Sequence, residues 1–287
     1  MVNRFFTTLA LLLSFSTSFS QWTRVQQLPS ANIASIYHKD NILYAGGENI
    51  IYISKDKGIT WDSTSAIPGL FLVTSIIVYK NEIYAAAPHR HVAKSSDSGI
   101  TWQNIVTGND TLDVSDFCEF KGDLYASTLG NSVYKLDPVS QNKWFHFNNG
   151  LGTISLNANA IAGTSTTLIA GATANGLYDY LAPNSTMWEE RFLLEQISPN
   201  EGVFDIITAH DTLFLTGTTG TYYMSTNNGQ NWNLFGNRLK TANTTIVNAK
   251  QALISSIRFF AGGSFFTVFL YIKKDSLQNP FVDFSIV

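Results

Sequence analysis

An eight-residue stretch recurs along the chain and narrows what it can fold into. Ser54-Lys55-Asp56-Lys57-Gly58-Ile59-Thr60-Trp61 returns as Ser95-Ser96-Asp97-Ser98-Gly99-Ile100-Thr101-Trp102. A looser copy reads Ser225-Thr226-Asn227-Asn228-Gly229-Gln230-Asn231-Trp232. The pattern S-x-[DN]-x-G-x-[TN]-W belongs to a longer rhythm. All six tryptophans (Trp22, Trp61, Trp102, Trp144, Trp188 and Trp232) keep one spacing, with intervals of 39, 41, 42, 44 and 44 residues. A period of about 40–45 residues is the length of one four-stranded propeller blade, a unit that buries its faces only by stacking on its neighbours.

The chemistry of the stretch is local. Ser54 and Thr60 offer hydroxyls and Asp56 a carboxylate to the backbone N–H groups of a tight turn. Gly58 supplies a positive φ at its corner. Trp61 then opens the next strand with a large apolar face. Ser95, Asp97, Gly99 and Trp102 repeat these roles, as do Ser225, Asn227, Gly229 and Trp232. One acid per unit does not converge on a single centre, so these residues are read as structural and no catalytic residue is assigned. The pattern resembles the Asp-box, or bacterial neuraminidase repeat, of several β-propeller families, over nearly all of the chain beyond residue 20. Two intervening copies are eroded: 136–144 and 181–188 keep the tryptophan and lose the glycine.

Between the boxes the strand grammar is regular. Short β-branched and aromatic runs are broken by Gly, Asn and Asp. The first unit predicts strands at 33–38, 42–46, 50–54 and from Thr60 onward; the second at 73–79, 82–86 and 91–94. The third predicts 114–120, 123–127 and 132–136; the fourth 158–163, 167–172 and 176–180; the fifth 203–210, 212–217 and 221–225. A sixth is read from 258–263 and 268–272, with the orphan strand around Trp22 as its fourth. The expected fold is therefore all-β: a six-bladed propeller of four-stranded antiparallel blades, closed by the N-terminal strand, which leaves no exposed sheet edge.

Residues 1–20 read as a secretory signal peptide, with Arg4 ahead of an apolar run and Ser18-Phe19-Ser20 before a cleavage at Gln21. Residues 21–287 then form one propeller domain, secreted, periplasmic or on the cell surface, with no membrane insertion once the leader is removed. A net charge of −3 gives no basis for nucleic-acid binding. Cys118, the single cysteine, sits in an alternating run and is read as a core residue. No cofactor and no metal are assigned, and a monomer is expected.

In a four-stranded blade the loops joining strands two and three share a face with the connections between blades, opposite the boxes. Binding candidates on that loop face are Glu48, Asn49, His89, Arg90, Asn131, Asn175 and 218–220, with Asp110, Asn148, Asn149 and Glu201 added by inter-blade connections. His89 and His91 could hold a metal only with a carboxylate beside them, and are read as a polar loop. The resemblance spans two kinds of protein. Sialidases imply an arginine triad and a Phe/Tyr-Arg-Ile-Pro segment, whereas the arginines beyond residue 20 are Arg24, Arg90, Arg191, Arg238 and Arg258, none followed by Ile-Pro. Photosystem assembly factors of the Ycf48 type and sortilin-like receptors imply protein or peptide binding without chemistry, and exported propellers of Bacteroidetes look similar too. The reading is a secreted binding module for a protein or glycan partner; the alternative is a sialidase-like glycoside hydrolase.

Overall fold

The computed structural model describes residues 28, 32–87, 89–105, 112–140, 142–151, 157–172, 176–181, 186–191, 202–209, 212–217, 222–236, 242–249, 252–261 and 264–273. They form six antiparallel sheets in chain order. The first blade holds β1 (Ser35–Lys39), β2 (Ile42–Gly46), β3 (Ile51–Ser54) and β4 (Asp62–Ser63). The second holds β5 (Ser75–Tyr79), β6 (Glu82–Ala86), β7 (Val92–Ser95) and β8 (Gln103–Ile105). The third holds β9 (Val114–Phe120), β10 (Asp123–Thr128), β11 (Ser132–Leu136) and β12 (Trp144–His146). The fourth holds β13 (Ala158–Gly163), β14 (Thr167–Ala172), β15 (Gly176–Leu181) and β16 (Glu189–Arg191). The fifth holds β17 (Val203–Ala209), β18 (Thr212–Gly217), β19 (Tyr222–Ser225) and β20 (Asn233–Gly236).

Five four-stranded blades are thus described where six were expected. The sixth sheet has three strands, β21 (Ala242–Ala249), β22 (Ala252–Ala261) and β23 (Ser264–Lys273). Its expected fourth strand around Trp22 lies outside the described residues. The strands at 252–261 and 264–273 are also longer than the 258–263 and 268–272 read from the sequence. No Gly, Pro, Asn or Asp interrupts either run, so nothing punctuates the ladder. The first strands of successive sheets lie side by side, β1 by β5, β5 by β9, and so on to β21, which returns to β1. The ring sets the inner strands around one axis, where their edges are short and protected.

The hairpins at the foot of the blades explain the spacing. Asp40-Asn41, Lys80-Asn81 and Lys121-Gly122 each place two successive residues at positive φ, the geometry of a two-residue turn whose twist matches its strands. Three of the blades are joined to the next through a side chain on their first strand. Ser35 Oγ donates to the Val73 carbonyl at 2.8 Å, Ser115 Oγ to that of Ala158 at 2.6 Å, and Asn159 Nδ2 to that of Val203 at 2.9 Å. Ser115 and Asn159 sit at register shifts in β9 and β13, where the bulge turns them toward the neighbouring blade.

All three boxes use one hydrogen-bond pattern. Ser54 Oγ donates to Asp56 Oδ1 at 2.8 Å and accepts from the Gly58 N–H at 2.7 Å, while the Thr60 N–H donates to Asp56 Oδ1 at 2.8 Å. Ser95, Asp97, Gly99 and Thr101 reproduce it, and Ser225, Asn227, Gly229 and Asn231 do so with an amide in place of the acid. The residue before each glycine also has positive φ: Lys57 at 62°, Ser98 at 60° and Asn228 at 56°. The Thr60 and Thr101 hydroxyls, which donate to the acids, lower the Asp56 and Asp97 carboxyls to about 2.

Tryptophan burial runs opposite to box quality. Trp61 and Trp102 of the intact boxes are only half-buried, and the Trp61 indole N–H turns back to Gly58 O at 3.1 Å. Trp144 and Trp188 of the eroded copies are 5% and 2% exposed. Trp188 joins Tyr125, Phe147 and Tyr180 in an aromatic block across the third and fourth blades, and its indole N–H reaches Phe147 O at 2.7 Å. Where the box glycine is lost, the aromatic is deeply buried instead.

Adjacent blades also clasp at the rim. The first blade leaves β4 through Thr64 and Ser65, and Ser65 donates from both N–H (2.9 Å) and Oγ (2.8 Å) to Gly99 O in the second box. Its hydroxyl also meets the Ile100 carbonyl. The third blade leaves β12 through Phe147 to Gly150. There Asn149 O accepts from Trp188 N–H at 2.8 Å and Asn149 Nδ2 donates to Thr186 O at 3.0 Å.

Candidate functional site

The loop face is built by three neighbouring blades. Residues 47–49, after β2, pair with 71–73, before β5. Asn49 N–H donates to Phe71 O at 2.9 Å, Val73 N–H to Gly47 O at 2.9 Å, and Glu48 bridges Leu72. Asn49, at φ 49°, also accepts from Ile67 N–H at 2.7 Å, so its backbone is committed to holding the loop. Glu48 accepts from Asn32 Nδ2 at 3.0 Å. This ribbon fixes the backbone of Phe71, whose side chain is 74% exposed.

The second loop packs directly beside the first. His91 Nε2 lies 3.2 Å from the Pro68 carbonyl, and a Cβ on Gly69 would come within 2.6 Å of the His91 ring. His91 is therefore turned inward under the 68–71 loop, while His89 faces out. His89 takes φ 56°, a conformation that a non-glycine residue holds only when its surroundings enforce it. Asp113, before β9, does so. It accepts from the His89 N–H through Oδ1 at 2.8 Å and from Nδ1 through Oδ2 at 2.8 Å. The His89 side chain stays 84% exposed against 13% for Asp113, so one imidazole nitrogen is held and the other is presented to solvent. Arg90 is exposed and makes no ion pair among the described residues.

Asn131, half-buried in the β10–β11 turn, borders the same assembly, because Leu129 N–H donates to Asp113 O at 2.8 Å. Glu48, Asn49, His89, Arg90 and Asn131 thus belong to one loop assembly. Asp110, Asn175, Glu201 and 218–220 lie outside the described residues. Asn149 leaves the set, because its backbone and its amide are both spent on the fourth blade. Phe71 and Asp113 were missed by the sequence reading. Phe71 looked like part of an apolar run, Leu70 to Val73, and only the backbone pairing shows which member is left outside.

A second polar centre lies on the axis, in a cavity of about 350 Å³ lined by β1, β5, β9, β13 and β17. Asp116 and Asp205 both line it. Asp116 keeps a little surface toward the channel but is otherwise enclosed by protein, and accepts from Phe117 N–H at 2.8 Å and Ile161 N–H at 3.2 Å. Burial, then the Asp205 charge, push its carboxyl well above the ordinary range. Tyr37, His38, Cys118 and Glu119 share the channel, and burial pushes the Cys118 thiol up, away from thiolate chemistry. Asp116 and Asp205 each stand third in their inner strands, after Val114-Ser115 and Val203-Phe204, so aligning the repeats could have found them.

The channel carries a pH signature. A carboxyl raised above its unfolded value of about 3.9 favours the folded state fully below that value. It withdraws that support as pH rises through the folded value. Asp205→Asn removes the neighbouring charge, so its urea midpoint should gain on the wild type as pH rises above about 4. A gap between the two midpoints that stays constant over that range would show that the carboxyls do not interact.

No protein-family profile matches the sequence, and no curated protein matches it. The structure nonetheless defines a β-propeller with one turn geometry repeated at Ser54–Thr60, Ser95–Thr101 and Ser225–Asn231. Among solved structures, YCF48 bound to D1 peptide matches at 18% identity and a TM-score of 0.58, over 78% of this chain and 74% of that one. YCF48 from Cyanidioschyzon merolae matches at 14% and 0.53, over 78% and 79%. The extracellular domain of a putative one-component system from B. thetaiotaomicron matches at 14% and 0.59, but this chain spans only 31% of it. The fold is thus a YCF48-like propeller, and at these identities the likeness is one of fold.

Proposed function

We propose that the chain is an exported propeller, monomeric after loss of residues 1–20, that binds a protein partner on the loop face and carries out no chemistry of its own. The observation behind this reading is the loop assembly itself. Three blades are locked together by backbone hydrogen bonds and by Asp113, while Phe71, His89 and Arg90 are left exposed. Rigid scaffolds that present exposed groups on converging loops are typical of binding sites. That YCF48 has been seen with a D1 peptide makes a protein partner the better choice over a glycan. An extracellular domain with the same fold is in keeping with export.

The test is cross-linking capture from a cell-envelope extract, with the full chain as bait beside a His89→Ala/Arg90→Ala double variant. A partner cross-linked to the loops and lost with the double variant supports the reading. Cross-links confined to the box face, or a partner retained equally by both baits, would place binding elsewhere. Turnover of a sialoside or glycan by the purified chain would replace the reading with hydrolysis.

A further inference from the structure

We propose that Asn149-Gly150 is a site of spontaneous deamidation, where water turns the Asn149 carboxamide into a carboxylate and so loosens the joint between the third and fourth blades.

An asparagine followed by glycine is chemically the weakest peptide pair, because no Cβ shields the glycine nitrogen from the neighbouring side chain. The chain holds three such pairs, at 149–150, 175–176 and 228–229. The first and third share their sequence context, each with a second asparagine ahead of it, Asn148 and Asn227. Their structures differ at the nitrogen that must react. Leu151 N–H donates to Asn148 O at 2.9 Å and closes a turn with Gly150 at φ 91°. Asn149 and Gly150 are exposed on that turn, and the Gly150 N–H has no hydrogen-bond partner among the described residues. Gly229 is buried in the third box, and its N–H donates to Ser225 Oγ at 3.0 Å. The same reaction is therefore open at Gly150 and closed at Gly229. The joint itself demands the glycine: a Cβ on Gly150 would stand 2.3 Å from the Trp188 carbonyl.

Hydroxide takes the Gly150 amide proton, and the nitrogen attacks Asn149 Cγ. The new N–C bond closes a five-membered imide, the Cγ–Nδ2 bond breaks, and Nδ2 leaves as ammonia. Water then opens the imide at either carbonyl. Opening at Cγ gives an ordinary aspartate, and opening at the backbone carbonyl gives an isoaspartate with the main chain running through Cγ. Both products damage the clasp. Asn149 Nδ2 is the donor to Thr186 O at 3.0 Å, and a carboxylate has no hydrogen to offer that carbonyl. In the isoaspartate, Asn149 O, which accepts from Trp188 N–H at 2.8 Å, passes into a carboxylate off the main chain. Thus the lesion falls beside the tryptophan that ties the two blades together.

The experiment is incubation of the full chain at mildly alkaline pH, natively and in urea, followed by peptide mass spectrometry that resolves aspartate from isoaspartate. In urea Asn149 and Asn228 should convert at closely similar rates, since their sequence context is the same. In the native protein Asn149 should convert about tenfold faster than Asn228, whose nitrogen must first leave its hydrogen bond. Asn149→Asp reproduces one product and should melt about 2–4 °C below the wild type. Asn228→Asp makes the same charge change with no side-chain hydrogen bond to lose among the described residues, and should melt with the wild type. Equal native rates, faster conversion at Asn228, or an Asn149 that stays intact while the urea sample converts would each overturn the site. An Asn149→Asp variant no less stable than Asn228→Asp would overturn the loosened joint.

Discussion

Trp188→Ala should lower unfolding free energy by about 3–5 kcal/mol, the cost of truncating a fully buried aromatic. Trp61→Ala should cost only about 1–2 kcal/mol. Box quality alone would rank them the other way, because Trp61 closes an intact box and Trp188 an eroded one. Burial decides. Trp188 is 2% exposed, stacks edge-on with Phe147, and donates its indole N–H across the blade boundary. Its removal opens a cavity among Tyr125, Phe147 and Tyr180 and strands the Phe147 carbonyl. Trp61 spends its indole N–H inside its own turn and keeps one side in water. Urea melts of the two variants separate these expectations. Equal losses would mean that the aromatic block does not join the blades.

Gly99→Ala should cost about 2–4 kcal/mol, combining left-handed backbone strain with overpacking. Gly99 has φ 88°, and a Cβ there would stand 2.2 Å from Thr64 Cγ2 and 2.7 Å from Thr64 Cβ, atoms of the preceding blade. Gly122 provides the comparison: its φ is 81°, with nothing among the described residues within 4 Å of an added Cβ. Gly122→Ala should therefore show the backbone part alone, about 1–2 kcal/mol. Adding Thr64→Ala to Gly99→Ala should recover part of the loss, since it removes the nearer of the two atoms. If Gly99→Ala and Gly122→Ala melt alike, the clasp between the blades does not hold.

The local parts of the fold were legible because they are written locally. β2, β6, β9, β11, β13, β14 and β18 have the bounds read from the sequence, and β2, β6 and β9 each meet a two-residue turn of Asp, Asn, Lys or Gly. Strand order alone also brings the loop at 47–49 and the loop at 89–91 to the same end of their blades, where His91 meets the Pro68 carbonyl. What escaped depends on how one blade meets the next. No pattern within a single repeat says that Trp188 is enclosed by Phe147, that Asn149 is spent on the fourth blade, or that Asp113 reaches back to hold His89. The channel acids escaped for the same reason. Asp116 and Asp205 are each one polar residue in a strand, and only the ring brings their charges to bear on each other.

The clasp at the rim gives the ring a direction. Thr64 and Ser65 of the first blade hold the second box, and Phe147 to Gly150 of the third hold the turn of the fourth, forward along the chain in both cases. The repeat seen in the sequence and the unit that holds together are thus out of step: a box is encoded with its own blade but fastened by the one before it. Duplicating one period of the gene would copy half a joint at each end. A new unit could then dock only in line, gripped from behind and gripping ahead, which favours growth of such a ring by whole repeats inserted in tandem.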